Sequence, residues 1–118
     1  MRLILGIYPT NHYTGKMLEL RPNCELCDKD LPVDATDACI CTYECTFCRN
    51  CVENVLKNVC PNCGGGFVSR PIRPKVAHRN GVSNQFQLPS DKRILTKYSK
   101  RDIEIFIENI KDIPVEKR

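Results

Sequence analysis

The stretch that decides the fold runs from Cys24 to Cys63. It reads Cys24-Glu25-Leu26-Cys27, then Cys41-Thr42-Tyr43-Glu44-Cys45-Thr46-Phe47-Cys48-Arg49-Asn50-Cys51, and finally Cys60-Pro61-Asn62-Cys63. Zinc takes four ligands at tetrahedral corners, and a Cys-x2-Cys turn delivers two thiolates at small loop-closure cost. The pairs Cys24/Cys27, Cys41/Cys45, Cys48/Cys51 and Cys60/Cys63 therefore supply two sites. Spacing alone permits sequential pairing, first with second and third with fourth, or crossed pairing, first with third and second with fourth. The ninth cysteine, Cys39, is two residues from Cys41 and can stand in as a ligand, but it reads more simply as a bystander thiol.

Working outward, the chain has 118 residues and a formal charge of +4, which suits one small domain with tails. Hydrophobic letters make up 42%, yet nine of them are cysteines, so about a third of the chain is left to build an ordinary apolar core. Metal must then do much of the stabilising, and the class predicted is a small metal-stabilised α+β fold. No apolar run approaches the roughly 18 residues of a membrane span, and Leu3 to Tyr8 is shorter than a signal-peptide core. The expectation is a soluble, cytoplasmic chain without a membrane partner. In a reducing compartment clustered cysteines bind metal sooner than they form disulfides. Four regular pairs favour zinc over an iron–sulfur cluster, and eight matched thiolates leave no open position for a catalytic ion. A non-enzymatic role follows.

Charge is unevenly distributed: +2 over residues 1–23, −4 over 24–63 and +6 over 64–118. Two zinc ions held by eight thiolates take the cysteine module to −8 and the chain to zero, so the finger itself should repel phosphate. Only Arg70, Arg73, Lys75, Arg79, Lys92, Arg93, Lys97, Lys100 and Arg101, against the single acid Asp91, offer a cationic surface for nucleic acid. Few aromatic residues interleave them, so a flexible, solvated linker is the favoured reading. His12 and His78 lie far from ligand spacing, and Glu25, Glu44 and Glu53 read as solvated carboxylates.

The division expected is an N-terminal extension over 1–16, a strand or disordered; a two-zinc finger over 17–74; a basic linker over 75–98; an amphipathic helix over 99–113; and a tail over 114–118. Gly64-Gly65-Gly66 breaks the chain after the last cysteine, and Arg70-Pro71-Ile72-Arg73-Pro74-Lys75 favours an extended course. Ser99 followed by Asp102 marks a helix start, and Ile103, Phe106, Ile107 and Ile110 form one apolar face before Pro114. That face is expected to pack on the finger; a homodimer contact is the alternative.

Phe47 before Cys48, Val52 after Cys51, a short helix expected through Val52 to Lys57, and Pro61 between Cys60 and Cys63 resemble a RING finger. The resemblance implies a cross-brace, or treble-clef, layout with a short β-hairpin and a short helix. It puts Cys24, Cys27, Cys48 and Cys51 at one zinc and Cys41, Cys45, Cys60 and Cys63 at the other, with Cys45 where such fingers usually have histidine. Leu26 and Pro61 fit positions that RING-type ubiquitin ligases use to grip their partner. Val55 stands where tryptophan is usual and Gly64 where a basic residue is, which argues against ligase activity.

From Met17-Leu18-Glu19-Leu20-Arg21-Pro22-Asn23-Cys24, through Cys41 to Cys48 and Cys60-Pro61-Asn62-Cys63-Gly64-Gly65, to Arg70-Pro71, the chain closely resembles a bacterial family of short cysteine-rich proteins catalogued as domain of unknown function 1272. The likeness covers roughly residues 17–74. It implies a bacterial zinc-binding protein with no assigned activity, starting at the equivalent of Met17, with residues 1–16 an extension or a misassigned start. Cys39 is outside the pattern. The functional expectation is an interaction or adaptor module with an unidentified protein partner. The alternatives are nucleic-acid regulation through the basic 70–101 stretch and a thiol redox or zinc-store activity involving Cys39.

Overall fold

A computed structural model describes residues 17–118. The expected N-terminal strand and His12 lie outside these residues. Strand β1 (Ala38–Ile40) pairs antiparallel with β2 (Thr46–Cys48) and, on its other side, with β3 (Val68–Ser69), giving the order β2-β1-β3. The register sets Ala38 opposite Cys48, Cys39 opposite Phe47 and Ile40 opposite Thr46. β-Branched and aromatic residues suit such a pleated surface, and every residue of β1 and β2 is buried. The two strands form the expected hairpin, with Cys41 to Cys45 as its connection.

Helix α1 (Arg49–Asn54) follows β2 without a break and buries Cys51 and Val52. It begins and ends three residues earlier than the Val52 to Lys57 expected from sequence. Lys57 and Asn58 take positive φ values of 51° and 61°, a conformation that no helix continues through. The turn they make drops Leu56 and Val59 into the core, where both are fully buried.

That core is small: Leu31, Ala38, Phe47, Val52, Leu56 and Val59 pack with the cysteines, and Phe47 meets Phe67 edge to face at 5.4 Å. Helix α2 (Lys100–Ile110) completes it from the far end of the chain. Ser99 caps it, its Oγ accepting from Asp102 N at 3.1 Å, and a cap of this kind contributes about 1 kcal/mol. Ile103 and Ile107 are buried against the finger, with Phe106 and Ile110 alongside, while Ile105 points to solvent. Full burial of each isoleucine stabilises by roughly 1.5–3 kcal/mol. The apolar face of α2 is thus covered by its own finger. A 3-10 turn (Val115–Lys117) follows, and Arg118 donates to Asn58 O at 2.8 Å and to Gly64 O at 3.3 Å.

The stretch 75–98 holds no helix or strand and is largely exposed, but from Ser90 to Thr96 it is tied to the finger. Ser90 N donates to Leu20 O (3.0 Å), and Asn23 takes both the N–H of Ile94 on Oδ1 and its carbonyl on Nδ2 (3.2 and 2.9 Å). Thr96 N donates to Glu25 O (2.8 Å), and Arg93 binds Asp28 and Asp30 (2.9 and 2.6 Å). These bonds draw the segment across the first cysteine turn. No helix among the described residues is long and apolar enough to cross a membrane.

Candidate metal centre

Cys24 and Cys27 sit on a turn held by Cys24 N donating to Lys29 O and Asp28 N to Cys24 O. Cys48 ends β2, and Cys51 is in the first turn of α1. Folding brings these four sulfurs within 4.8 Å of one another, with Cys27 Sγ and Cys48 Sγ 3.8 Å apart. A zinc–sulfur bond of about 2.3 Å gives a tetrahedron whose edges are about 3.8 Å, whereas a disulfide holds its sulfurs about 2.05 Å apart. The donor set therefore fits a tetrahedral metal ion, and all nine cysteines are free.

Cys41, Cys45 and Cys60 form a second group, also within 4.8 Å. Cys41 leaves β1 and Cys45 enters β2, their loop closed by Cys41 N to Cys45 O and Glu44 N to Cys41 O. Cys60 opens a turn in which its N–H donates to Gly65 O and its carbonyl accepts from Gly64 N. Cys63 closes that turn but lies outside the three-sulfur group and is solvent-exposed. The first and third pairs thus group together, and the second pair groups with Cys60 of the fourth. Cys39 belongs to neither; it is buried in β1, and burial pushes its thiol pKa up.

Backbone amides face the sulfurs. Cys27 N donates to Cys24 Sγ (3.5 Å), Tyr43 N to Cys41 Sγ (3.3 Å) and Gly65 N to Cys63 Sγ (3.4 Å). Such outer bonds orient thiolates and lower the cost of their charge. The residues just after the two Cys-x2-Cys turns, Asp28 and Gly64, share a positive φ, 65° and 84°. Glycine takes that conformation without strain and aspartate tolerates it, so one backbone device serves both turns. Gly64 also lies against α2, facing Phe106 and Ile110.

Within the three-sulfur group the hydrogen bond from Cys60 favours a charge on Cys45, whose pKa falls to about 6 against the opposing effect of burial. The same bond raises the pKa of Cys60. Burial lifts Cys41 to about 11 and also raises Cys51.

Four side chains read differently in the structure than in the sequence. Glu25, expected to be solvated, is 2% exposed. It accepts from Thr46 N (2.6 Å), Arg21 Nη1 (2.7 Å) and Asn62 Nδ2 (3.3 Å), because its place inside the first turn points it at the interior. Arg70, counted among the surface cations, is 4% exposed and donates to the carbonyls of Arg21, Leu31 and Pro32, which have no strand partner. Arg73 spans Leu18 O and Gln87 O at 2.7 Å each, and Arg93 is engaged with Asp28 and Asp30. Glu44 accepts from Glu19 N at 3.0 Å, while Glu53 and His78 are exposed. Asn23, fully buried and clamping Ile94, was missed by sequence reasoning; an asparagine directly before the first ligand was the one available signal.

Fold and site together define a small α+β protein with two cysteine clusters able to hold metal. The pattern of the family described as "Protein of unknown function (DUF1272)" matches residues 17–73. An uncharacterized protein of Rhizobium meliloti (strain 1021) is 66% identical over 58 residues, covering 49% of this chain and 69% of the relative. The chain belongs to the DUF1272 family. No solved structure matches it.

Proposed function

We propose that this chain is a structural two-zinc finger that acts as a non-enzymatic interaction module. One ion is held by Cys24, Cys27, Cys48 and Cys51. The other is held by Cys41, Cys45, Cys60 and Cys63, the last swinging in from its exposed position to complete the tetrahedron. Ligation is crossed, as in a RING-like or treble-clef brace. The observation that carries this reading is the four-sulfur cluster, with its 3.8 Å edge, assembled from a turn, a strand end and a helix. Gathering four thiols, three of them buried, offers little apolar gain; it becomes stabilising when they ligate a metal.

An interaction role is supported by what the fold leaves outward. Tyr43 is 71% exposed on the hairpin loop, and Val68 is exposed on β3. The nucleic-acid alternative loses weight, because Arg70 and Arg73 spend donors on backbone carbonyls and Arg93, at the surface, is paired with Asp28 and Asp30. A redox role for Cys39 loses weight too, since that thiol is buried and its thiolate disfavoured. A metal-binding role for nine unbridged cysteines would suit a reducing setting such as the cytoplasm.

Chelation tests the reading. A metal-stripped sample should lose amide dispersion and its cooperative melt, because structural zinc supplies apparent binding energy of about 10–16 kcal/mol, more than the stability of many small domains. A stripped sample with an unchanged melt would refute the structural role.

A further inference from the structure

Glu25 lies inside the first cysteine turn, yet its carboxylate binds groups that belong to the second. Oε2 accepts from Thr46 N, the residue directly after Cys45, and from Arg21 Nη1. Oε1 accepts from Asn62 Nδ2, which stands between Cys60 and Cys63. The main chain repeats the tie: Glu25 N donates to Thr46 O at 2.9 Å, and Glu25 O accepts from Thr96 N at 2.8 Å. Thr96 closes the loop, its Oγ1 donating to Asn62 Oδ1 at 2.8 Å. One buried side chain therefore holds the first turn, the entry to β2 and the last turn in fixed relation. β2 itself runs from beside Cys45 to Cys48, a sulfur of each cluster.

We infer that Glu25 is a positioning residue that couples the two clusters, so that filling one with a divalent metal ion raises the affinity of the other. The inference rests on the two-zinc reading. Closing the first site fixes the turn 24–27 and with it the carboxylate. The carboxylate then orders Thr46 beside Cys45 and Asn62 beside Cys60, so the second ion meets a site whose ordering entropy has already been spent. Mutual repulsion of two thiolate-rich sites works against this. The Arg21 guanidinium, 2.7 Å from Glu25, keeps the connecting carboxylate from adding to it.

The test is a zinc titration of the full chain, with free metal set by a competing chelator and species counted by native mass spectrometry. For two sites of equal intrinsic affinity a coupling of about tenfold holds the largest one-zinc fraction near a quarter; unequal sites raise it, so the coupling is read from the change between wild type and variants. Independent equal sites would give one half. In Glu25→Gln, which keeps the shape but not the charge, and in Asn62→Ala, which cuts the arm to the second turn, the one-zinc fraction should rise. A merely structural role would weaken both sites together and leave that fraction where it was. An unchanged fraction in both variants would overturn the coupling while leaving the zinc reading intact. A wild-type chain that takes up no zinc would overturn both.

Discussion

The two cysteine clusters use the same kind of paired turn, yet they are unequally finished. In the first, two of the four sulfurs belong to regular elements, Cys48 to β2 and Cys51 to α1, whose backbone bonds share with the ion the work of positioning them. In the second, every cysteine is in a loop or turn, and Cys63 is apart from the three sulfurs that gather. Exposure alone does not make the difference, since Cys27 is also exposed and still lies 3.8 Å from Cys48. What counts is whether strand and helix hold the donors or whether the metal must.

That contrast can be broken by substitution. Cys48→Ser should have the largest effect, abolishing uptake of the first ion and the cooperative melt, because it removes a sulfur that also ends the central hairpin. Cys63→Ser should leave one zinc bound and part of the amide dispersion intact. Native mass and melting curves read both, and equal damage from the two variants would dissolve the distinction. Glu25→Ala should come next, costing about 3–5 kcal/mol in the metal-loaded protein, because Thr46 N is left buried without its acceptor and half-buried Arg21 keeps only Glu19. Denaturant unfolding measures this, and a loss below about 1 kcal/mol would mean the network is dispensable. Ile107→Ala should cost about 2–4 kcal/mol by opening a cavity between α2 and the finger. Ser99→Ala should cost least, about 1 kcal/mol, through loss of the cap on α2; calorimetry at fixed zinc would rank this pair.

The parts of the fold legible in sequence are those governed by short-range rules. Ser99, the stripe from Ile103 to Ile110 and the positive φ at Gly64 are local signals, and each appears in the structure where the local chemistry places it. β3 was not legible, since Val68 and Ser69 show no alternation and become a strand only by finding Ile40 and Cys39. The end of α1 differs because Lys57 as well as Asn58 adopts the left-handed conformation, and only the asparagine is of a type that favours it. The same limit hid the roles of Glu25 and Arg70. Charge type is visible in sequence, but whether a charge meets solvent or backbone and side-chain partners is decided by contacts across the chain. Arg70 reaches Leu31 and Pro32, and Glu25 reaches Asn62.

The claim beneath these comparisons is that the gathered sulfurs hold metal. Native mass spectrometry of the full chain, purified without added chelator and infused under non-denaturing conditions, weighs it directly. The account requires a mass excess of two zinc ions, with thiol protons lost in proportion. A chain weighing the same as its sequence, or lighter by the two protons of each disulfide, would contradict it.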